Sequence, residues 1–307
     1  LGLYLLILAY SAIGLFMSSI TKYQVVAAIG TLAVLAVLNF IGDVGQDYDL
    51  VRHITYWLSI TGRAYPFIDG LIASDNIFYF LIVIGFFLAL SILKLNTEKT
   101  ITPLKIKVLK YCVIVFVVLI LGYVSSTPYT KYYYDATYTK SNTLAKESQD
   151  VIKNLDGDLT ITTYVNLLDE DLYNGLPRNR NNDFKRFEKY YRFKPDIEMK
   201  YVYYYDKSNN SSLEWRFPNK TFEERVELLC QANNLKRDMF MSPEEIKNII
   251  DLTPEHNKFI RIVERENGQR AYLRMFNDNT KHPEEAEITA TLKRFISPSP
   301  TVAFSTG

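Results

Sequence analysis

The sequence has little of what most hydrolases and metalloproteins need. Its three histidines, His53, His256 and His282, stand far apart, and there are only two cysteines in 307 residues. No HExxH pair, paired-cysteine motif or GxSxG elbow occurs, which excludes the common zinc sites and the α/β-hydrolase nucleophile. A GxxxxGK[ST] phosphate loop is missing as well, so the chain cannot hydrolyse ATP by that route. Neither sign of charge dominates. The formal net charge is +1, without the basic excess of a nucleic-acid surface, and no nucleic-acid partner is expected. Cys112 falls in an apolar run and Cys230 in the charged stretch ELLCQANNL. They are not expected to pair, and Cys230 reads as a buried structural thiol rather than a nucleophile.

What the sequence does have is uncharged length. A mean hydropathy of -0.05 averages over two unlike parts, because most of the charge comes after Thr127 and is balanced there. Residues 1–21, 23–42, 76–93 and 111–130 carry no Asp, Glu, Lys or Arg. A helix needs roughly 20 apolar residues to cross the roughly 30 Å hydrocarbon core of a bilayer. Four such runs in so short a stretch predict four transmembrane helices rather than core helices of a soluble domain. The chain begins at Leu1 inside an apolar stretch, with no charged leader and no small-residue cleavage site. It therefore reads as part of a longer protein, not as one opening on a signal peptide.

Lysines set the direction. Lys94, Lys99, Lys105, Lys107 and Lys110 mark the link between the third and fourth spans, and Lys22 the turn between the first and second. The positive-inside rule places both links in the cytoplasm. The loop 43–75 and everything after the fourth span then lie outside. This gives a multi-pass membrane protein whose C-terminal domain lies outside the cytoplasm. The expected parts are membrane spans with their external loop over 1–95, a cytoplasmic linker over 96–110, an anchor span over 111–130, and an α/β domain over 131–307.

Ser11, Gly14 and Ser18 share one face of the first span, where small residues suit close helix packing better than a substrate path. The loop 43–75 contains VRHITYWLSITGRAYPFIDGLI, and two readings of it stay open. One is a pair of short helices at the interface or dipping back into protein, with Tyr56, Trp57 and Tyr65 at headgroup level. The other is a structured loop packed on the spans. Arg52, His53, Arg63 and Asp69 are its candidates for a pathway mouth or interface.

After Pro128 a polar stalk leads into a helix expected over 143–154, stopping near Gly157 as a left-handed cap. DLTITTYVNLL has the period of a strand, with Leu159, Ile161, Thr163 and Val165 on one face. DFKRFEKYYRF reads as a helix with Phe184, Phe187 and Tyr191 on one side. IEMKYVYYYD is again a strand, with Ile197, Met199, Tyr201 and Tyr203 aligned. Thr221 with Glu224 and Ser242 with Glu245 fit capping boxes. Asn267-Gly268 between two β-rich runs signals a hairpin. A helix EEAEITATLKRFI and a short strand TVAFSTG close the chain. Strands alternating with helices predict an α/β domain around a partly parallel sheet. Ligands favour the carboxyl ends of such strands, which makes the Thr306–Gly307 turn a possible ligand loop.

At this point the residues resemble a family. GLFMSSITKYQVVAAIG is similar to the closing spans of ABC-2-type transporter permeases. NTLAKESQDVIKNLDGDLTITTYVNLLD, RFKPDIEMKYVYYYD and AEITATLKRF with VAFSTG resemble the external auxiliary component of the same systems. These are the gliding-motility-type (Gld-like) ABC transporters of Bacteroidota, in which the permease and auxiliary parts can be fused. The resemblance implies a permease that works with a second permease copy or homologue, driven by a separate cytoplasmic ATPase subunit that binds the ATP. The chain itself would be no enzyme and would need no cofactor or metal. It also implies a Rossmann-like fold akin to class I glutamine amidotransferases, without their catalytic cysteine. Two rival functions are a membrane-tethered recognition or scaffold protein without transport, and a membrane-anchored hydrolase or amidotransferase.

Overall fold

A 26-residue helix and a 22-residue helix, both longer than a bilayer demands, fix the frame of the N-terminal part. The structure is a computed structural model and describes residues 1–100, 103–127, 130–276 and 281–297. The chain divides into two compact units, Leu1–Thr143 and Leu144–Gly307.

In the first unit α1 (Gly2–Ile20) and α2 (Gln24–Phe40) precede two short helices, α3 (Asp49–Leu58) and α4 (Ile60–Ile68). A short strand β1 (Leu71–Ala73) leads directly into α5 (Ser74–Lys99). After α6 (Leu104–Ser125) comes β2 (Tyr133–Asp135), antiparallel to β1 with Ile72 opposite Tyr134. Helices α1, α2, α5 and α6 are long and apolar enough to cross a membrane. At about 1.5 Å per residue, α5 spans roughly 39 Å and α6 roughly 33 Å, more than the roughly 30 Å of hydrocarbon.

Both helices therefore run into the stretch 96–110 that reads as a linker. Good helix formers and the Lys94–Glu98 pair at 2.9 Å carry α5 on to Lys99. Pro103 caps the start of α6 seven residues earlier than the uncharged run implies, and α6 ends at Ser125 instead of Thr130.

The face that α1 buries is not the serine face. Leu5, Ala9 and Ile13 are buried and pack with Ile60, Tyr79 and Phe80, and Ala12 is buried too, while Ser11 and Ser18 are exposed. Gly14 faces Thr31 of α2.

Residues 130–143 are fastened, not a free stalk. Tyr132 N–H donates to Ser74 Oγ, Ser74 Oγ–H to the Thr130 carbonyl, and Asn142 Nδ2 to the Asp69 carbonyl. The Asp135 carboxylate accepts from the Thr137 amide and hydroxyl, the Asn142 amide and the Thr143 hydroxyl. Burial alone would raise its pKa, but these four donors outweigh burial and hold it well below the usual carboxylate range.

The second unit opens with α7 (Lys146–Lys153), shorter than expected at its start. Gly157, at φ +75°, lies in the turn before β3 and not at the helix end. The elements that follow are β3 (Leu159–Asn166), α8 (Leu172–Gly175), α9 (Arg180–Tyr191) and β4 (Ile197–Tyr204). Then come α10 (Ser211–Arg216), α11 (Phe222–Ala232), α12 (Pro243–Ile249), β5 (Ile260–Arg265), β6 (Arg270–Arg274) and α13 (Glu285–Lys293). The sheet order is β4-β3-β5-β6. Only β3 and β4, joined through α9, are parallel; the other pairs are antiparallel. A mixed α/β unit with a partly parallel sheet is thus present as expected. The TVAFSTG strand and the Thr306–Gly307 turn lie outside the described residues.

Both expected capping boxes form. The hairpin also forms, with a difference in its turn. Gly268 N–H donates to the Arg265 carbonyl and Gly268 alone takes a positive φ, +82°. This is the wider turn closed by a left-handed glycine, not the two-residue form in which Asn267 would also need φ > 0.

Replacing Asp135 with alanine strands the four donors it collects and is expected to cost the 135–143 segment about 1–3 kcal/mol. The stabilisation by the carboxylate is complete above the ordinary aspartate pKa and fades as pH falls through its depressed folded value. Hydrogen exchange at Thr137 and Asn142 reads both effects: protection at neutral pH, loss in Asp135→Ala.

Candidate functional site

In the first unit, α3 is amphipathic with its apolar face outward. Leu50 and Ile54 are exposed, while Arg52, Thr55 and the following Ser59 are buried. Arg52 pairs with Asp49 at 2.8 Å, and Thr55 Oγ donates to the Val51 carbonyl. His53 and Asp69 are exposed. Arg63, on α4, takes different partners: Asp75 Oδ2 and Asn76 Oδ1 at the start of α5, each at 3.2 Å. Its guanidinium stacks 5.9 Å from the Tyr56 ring and 5.7 Å from the Tyr79 ring, and Lys131 reaches the same Asp75 at 3.7 Å.

Of the four sequence candidates in this loop, Arg63 sits in a polar cluster that joins α4, α5 and the approach to β2. The two short helices are present and also pack on the long ones. Trp57 Nε1 donates to Ser126 Oγ at 3.0 Å, and its ring occupies the space where any Cβ on Gly122 would fall. Tyr79 Oη donates to the Leu58 carbonyl at 2.7 Å and Thr61 Oγ to Asn39 Oδ1 at 2.8 Å. Trp57 is thereby half-buried against α6, whereas Tyr65 is exposed.

The second unit holds a site that the sequence reading missed. On the helix-covered face of the sheet, Tyr201, Thr163 and Arg261 stand side by side across β4, β3 and β5. Arg261 is fully buried and its Nη2 meets Asp183 Oδ1 of α9 at 2.5 Å. Tyr201 Oη donates to Asp183 Oδ2 at 2.9 Å. Arg186 comes within 3.8 Å of the same carboxylate, and Arg261 lies 4.8 Å from the Phe259 ring. Next along β4, Tyr203 Oη donates to the Gly175 carbonyl and accepts from Arg180. This polar belt separates two apolar clusters, one around Ile161, Phe187 and Leu273, the other around Val165, Val226 and Cys230.

The sequence did carry a signal. Asp183 occupies the buried stripe of α9 with Phe187 and Tyr190, where Phe184 and Tyr191, two of the three expected, are only half-buried. Arg261 replaces an apolar residue in the inward series Phe259, Arg261, Val263. Burial raises the pKa of the Tyr201 phenol, reinforced by Asp183.

Cys230 is buried and burial pushes its thiol up, which suits packing and not nucleophilic attack. Both cysteines are free. Among the described residues no group of three or more His, Cys, Asp or Glu is placed to hold a metal ion. Comparison with known proteins finds no family model that matches the chain, no similar curated protein and no similar solved structure.

Removing one partner of the Arg261–Asp183 pair leaves the other charge buried alone, which costs about 3–5 kcal/mol. Asp183→Ala is therefore expected to destabilise the second unit far more than the double change Asp183→Leu with Arg261→Met. Urea denaturation of the full chain in detergent, followed by hydrogen exchange at the β3 and β5 amides, distinguishes the two.

Proposed function

We propose that the chain is a membrane subunit of an ABC-type transporter. Its four long helices lie in the inner membrane, its lysine-rich helix ends face the cytoplasm, and its second unit stands in the periplasm. A separate ATPase supplies the energy. The observation that carries this reading is the chemical polarity of the α5–α6 pair. Lys94, Lys99, Lys105, Lys107 and Lys110 mark one end of these helices, and the aromatic, polar corner of α3, α4 and the β1–β2 ladder marks the other.

The outward apolar face of α3 fits the bilayer interface, with Arg52 and Thr55 turned to protein. Arg63 with Asp75 is the residue pair best suited to respond to substrate or partner, since a buried charge at the end of a span is a functional candidate. The β3–α9–β4 crossover supports a Rossmann-like, amidotransferase-like fold for the second unit, and the buried, raised thiol of Cys230 supports a recognition role over catalysis. Its influence on transport would come from binding more tightly to one state of the transporter than to the other. A link to gliding motility rests on the resemblance alone.

The test uses the full-length chain purified with and without a separately encoded Walker-type ATPase. The chain alone is expected to turn over no ATP, and the complex to hydrolyse it. Turnover by the chain itself would overturn the proposal. Failure to associate with any such ATPase favours the membrane-tethered scaffold instead.

A further inference from the structure

Among the described residues, two guanidinium groups of the polar belt, Arg261 and Arg186, share the one carboxylate of Asp183, which also accepts from Tyr201. A further acid, Asp171, is held by Lys281 at 3.4 Å. Arg261 Nε, Thr163 Oγ and His282 Nδ1 are buried atoms with no hydrogen-bond partner among the described residues, and Thr163 and Arg261 are fully buried residues. Each such atom is destabilising unless water or a ligand meets it.

The sign of the local field favours an anion over water. His282 is half-buried, and its imidazole pKa is pushed down to about 4, first by burial and then by Arg186 and Arg261. Arg186 is itself lowered, by burial first, with Arg261 adding to it and Asp183 opposing. Access is graded as well: the Arg186 side chain is 37% exposed, and Arg261 behind it is 0% exposed.

We infer that this belt is a binding site for a small oxyanion, the carboxylate or phosphoryl end of a ligand, gripped by Arg186 and His282 with Arg261 behind them. A guanidinium offers parallel N–H donors to such a group. His282 Nε2 already faces Asn174 Oδ1 at 3.3 Å. With Nε2 donating there, the neutral ring can only accept at Nδ1, so it becomes a donor to the anion by taking up a proton. Binding is therefore coupled to protonation of His282, in a setting that also holds Asp171, Lys281, Asp183, Arg186 and Arg261. This gives the second unit of the proposed function a ligand class, and depends on that reading only for its bearing on transport.

The experiment is a titration of the full chain in detergent, without any ATPase, with inorganic phosphate and with acetate, against chloride at equal ionic strength. Saturable binding of phosphate or acetate is expected. His282→Ala and Arg186→Gln should each weaken it at least tenfold, and Lys200→Gln on the opposite sheet face should leave it unchanged. In the unmutated chain with labelled histidine, the His282 resonance should move toward the protonated form near pH 6 on saturation. A soluble short-chain phosphatidylglycerol that outcompetes phosphate points to a lipid headgroup as the natural source; phosphate that outcompetes it points to a soluble ligand. Neither probe binding beyond chloride, binding that persists in both variants, or an unmoved His282 resonance overturns the inference. Failure of the ATPase experiment above would leave this result standing, and the reverse also holds.

Discussion

A polar group taken out of water without a hydrogen-bond partner costs several kcal/mol, and hydrocarbon supplies no partner at all. The four long helices of the first unit meet that condition by closing their backbone bonds internally. The loops between them meet it less simply. The segment between α2 and α5 forms two helices and buries Gln46 ahead of them, Arg52 and Thr55 on α3 and Ser59 between the two, with Leu50 and Ile54 left outside. That arrangement suits apolar surroundings beside Leu50 and Ile54. Arg63, Asp75, Asn76 and Lys131 then form a shared polar knot where α4, α5 and the β2 approach meet.

The same condition governs the second unit, where polar groups are withdrawn into protein. Arg261 and Asp183 are withdrawn from water between two apolar clusters and satisfy one another only in part. A buried ion pair of this kind is weak support for stability, since well-packed apolar residues often replace it without loss. Its presence in the middle of a sheet face is better explained by what it can hold. The segment that precedes this unit is likewise fixed by polar contacts, with Asp135 gathering the turn that ends at Thr143.

Much of this was legible in the sequence because it depends on long, regular patterns. The four uncharged runs, the alternation in β3 and β4, and both capping boxes need only local chemistry. Helix ends were misjudged where charge was taken as a stop signal. Lys94 lies inside α5, and Lys105, Lys107 and Lys110 lie inside α6, so the backbone stays helical beyond the uncharged runs. On the small-residue face of α1, Gly14 lies beside Thr31 of α2, while Ala9 belongs to the buried cluster shared with Ile60, Tyr79 and Phe80. The charged belt was hidden for a different reason. Asp183 and Arg261 are 78 positions apart, and only the pairing of β3 with β5 and the α9 crossover brings them together. Each is a lone charge in an otherwise apolar series, a pattern that is noticed only once the partner is known.

The central claim is that the lysine-rich ends of α5 and α6 and the second unit lie on opposite sides of a bilayer. Labelling with a membrane-impermeant maleimide tests it, using Lys105→Cys and Lys200→Cys in turn in the full-length protein. Cys230 is buried and Cys112 lies within α6, so the unmutated chain serves as the blank. In intact spheroplasts Lys200→Cys should label at once and Lys105→Cys only after permeabilisation. Labelling of Lys105→Cys from outside, or protection of Lys200→Cys until the membrane is opened, would contradict the account.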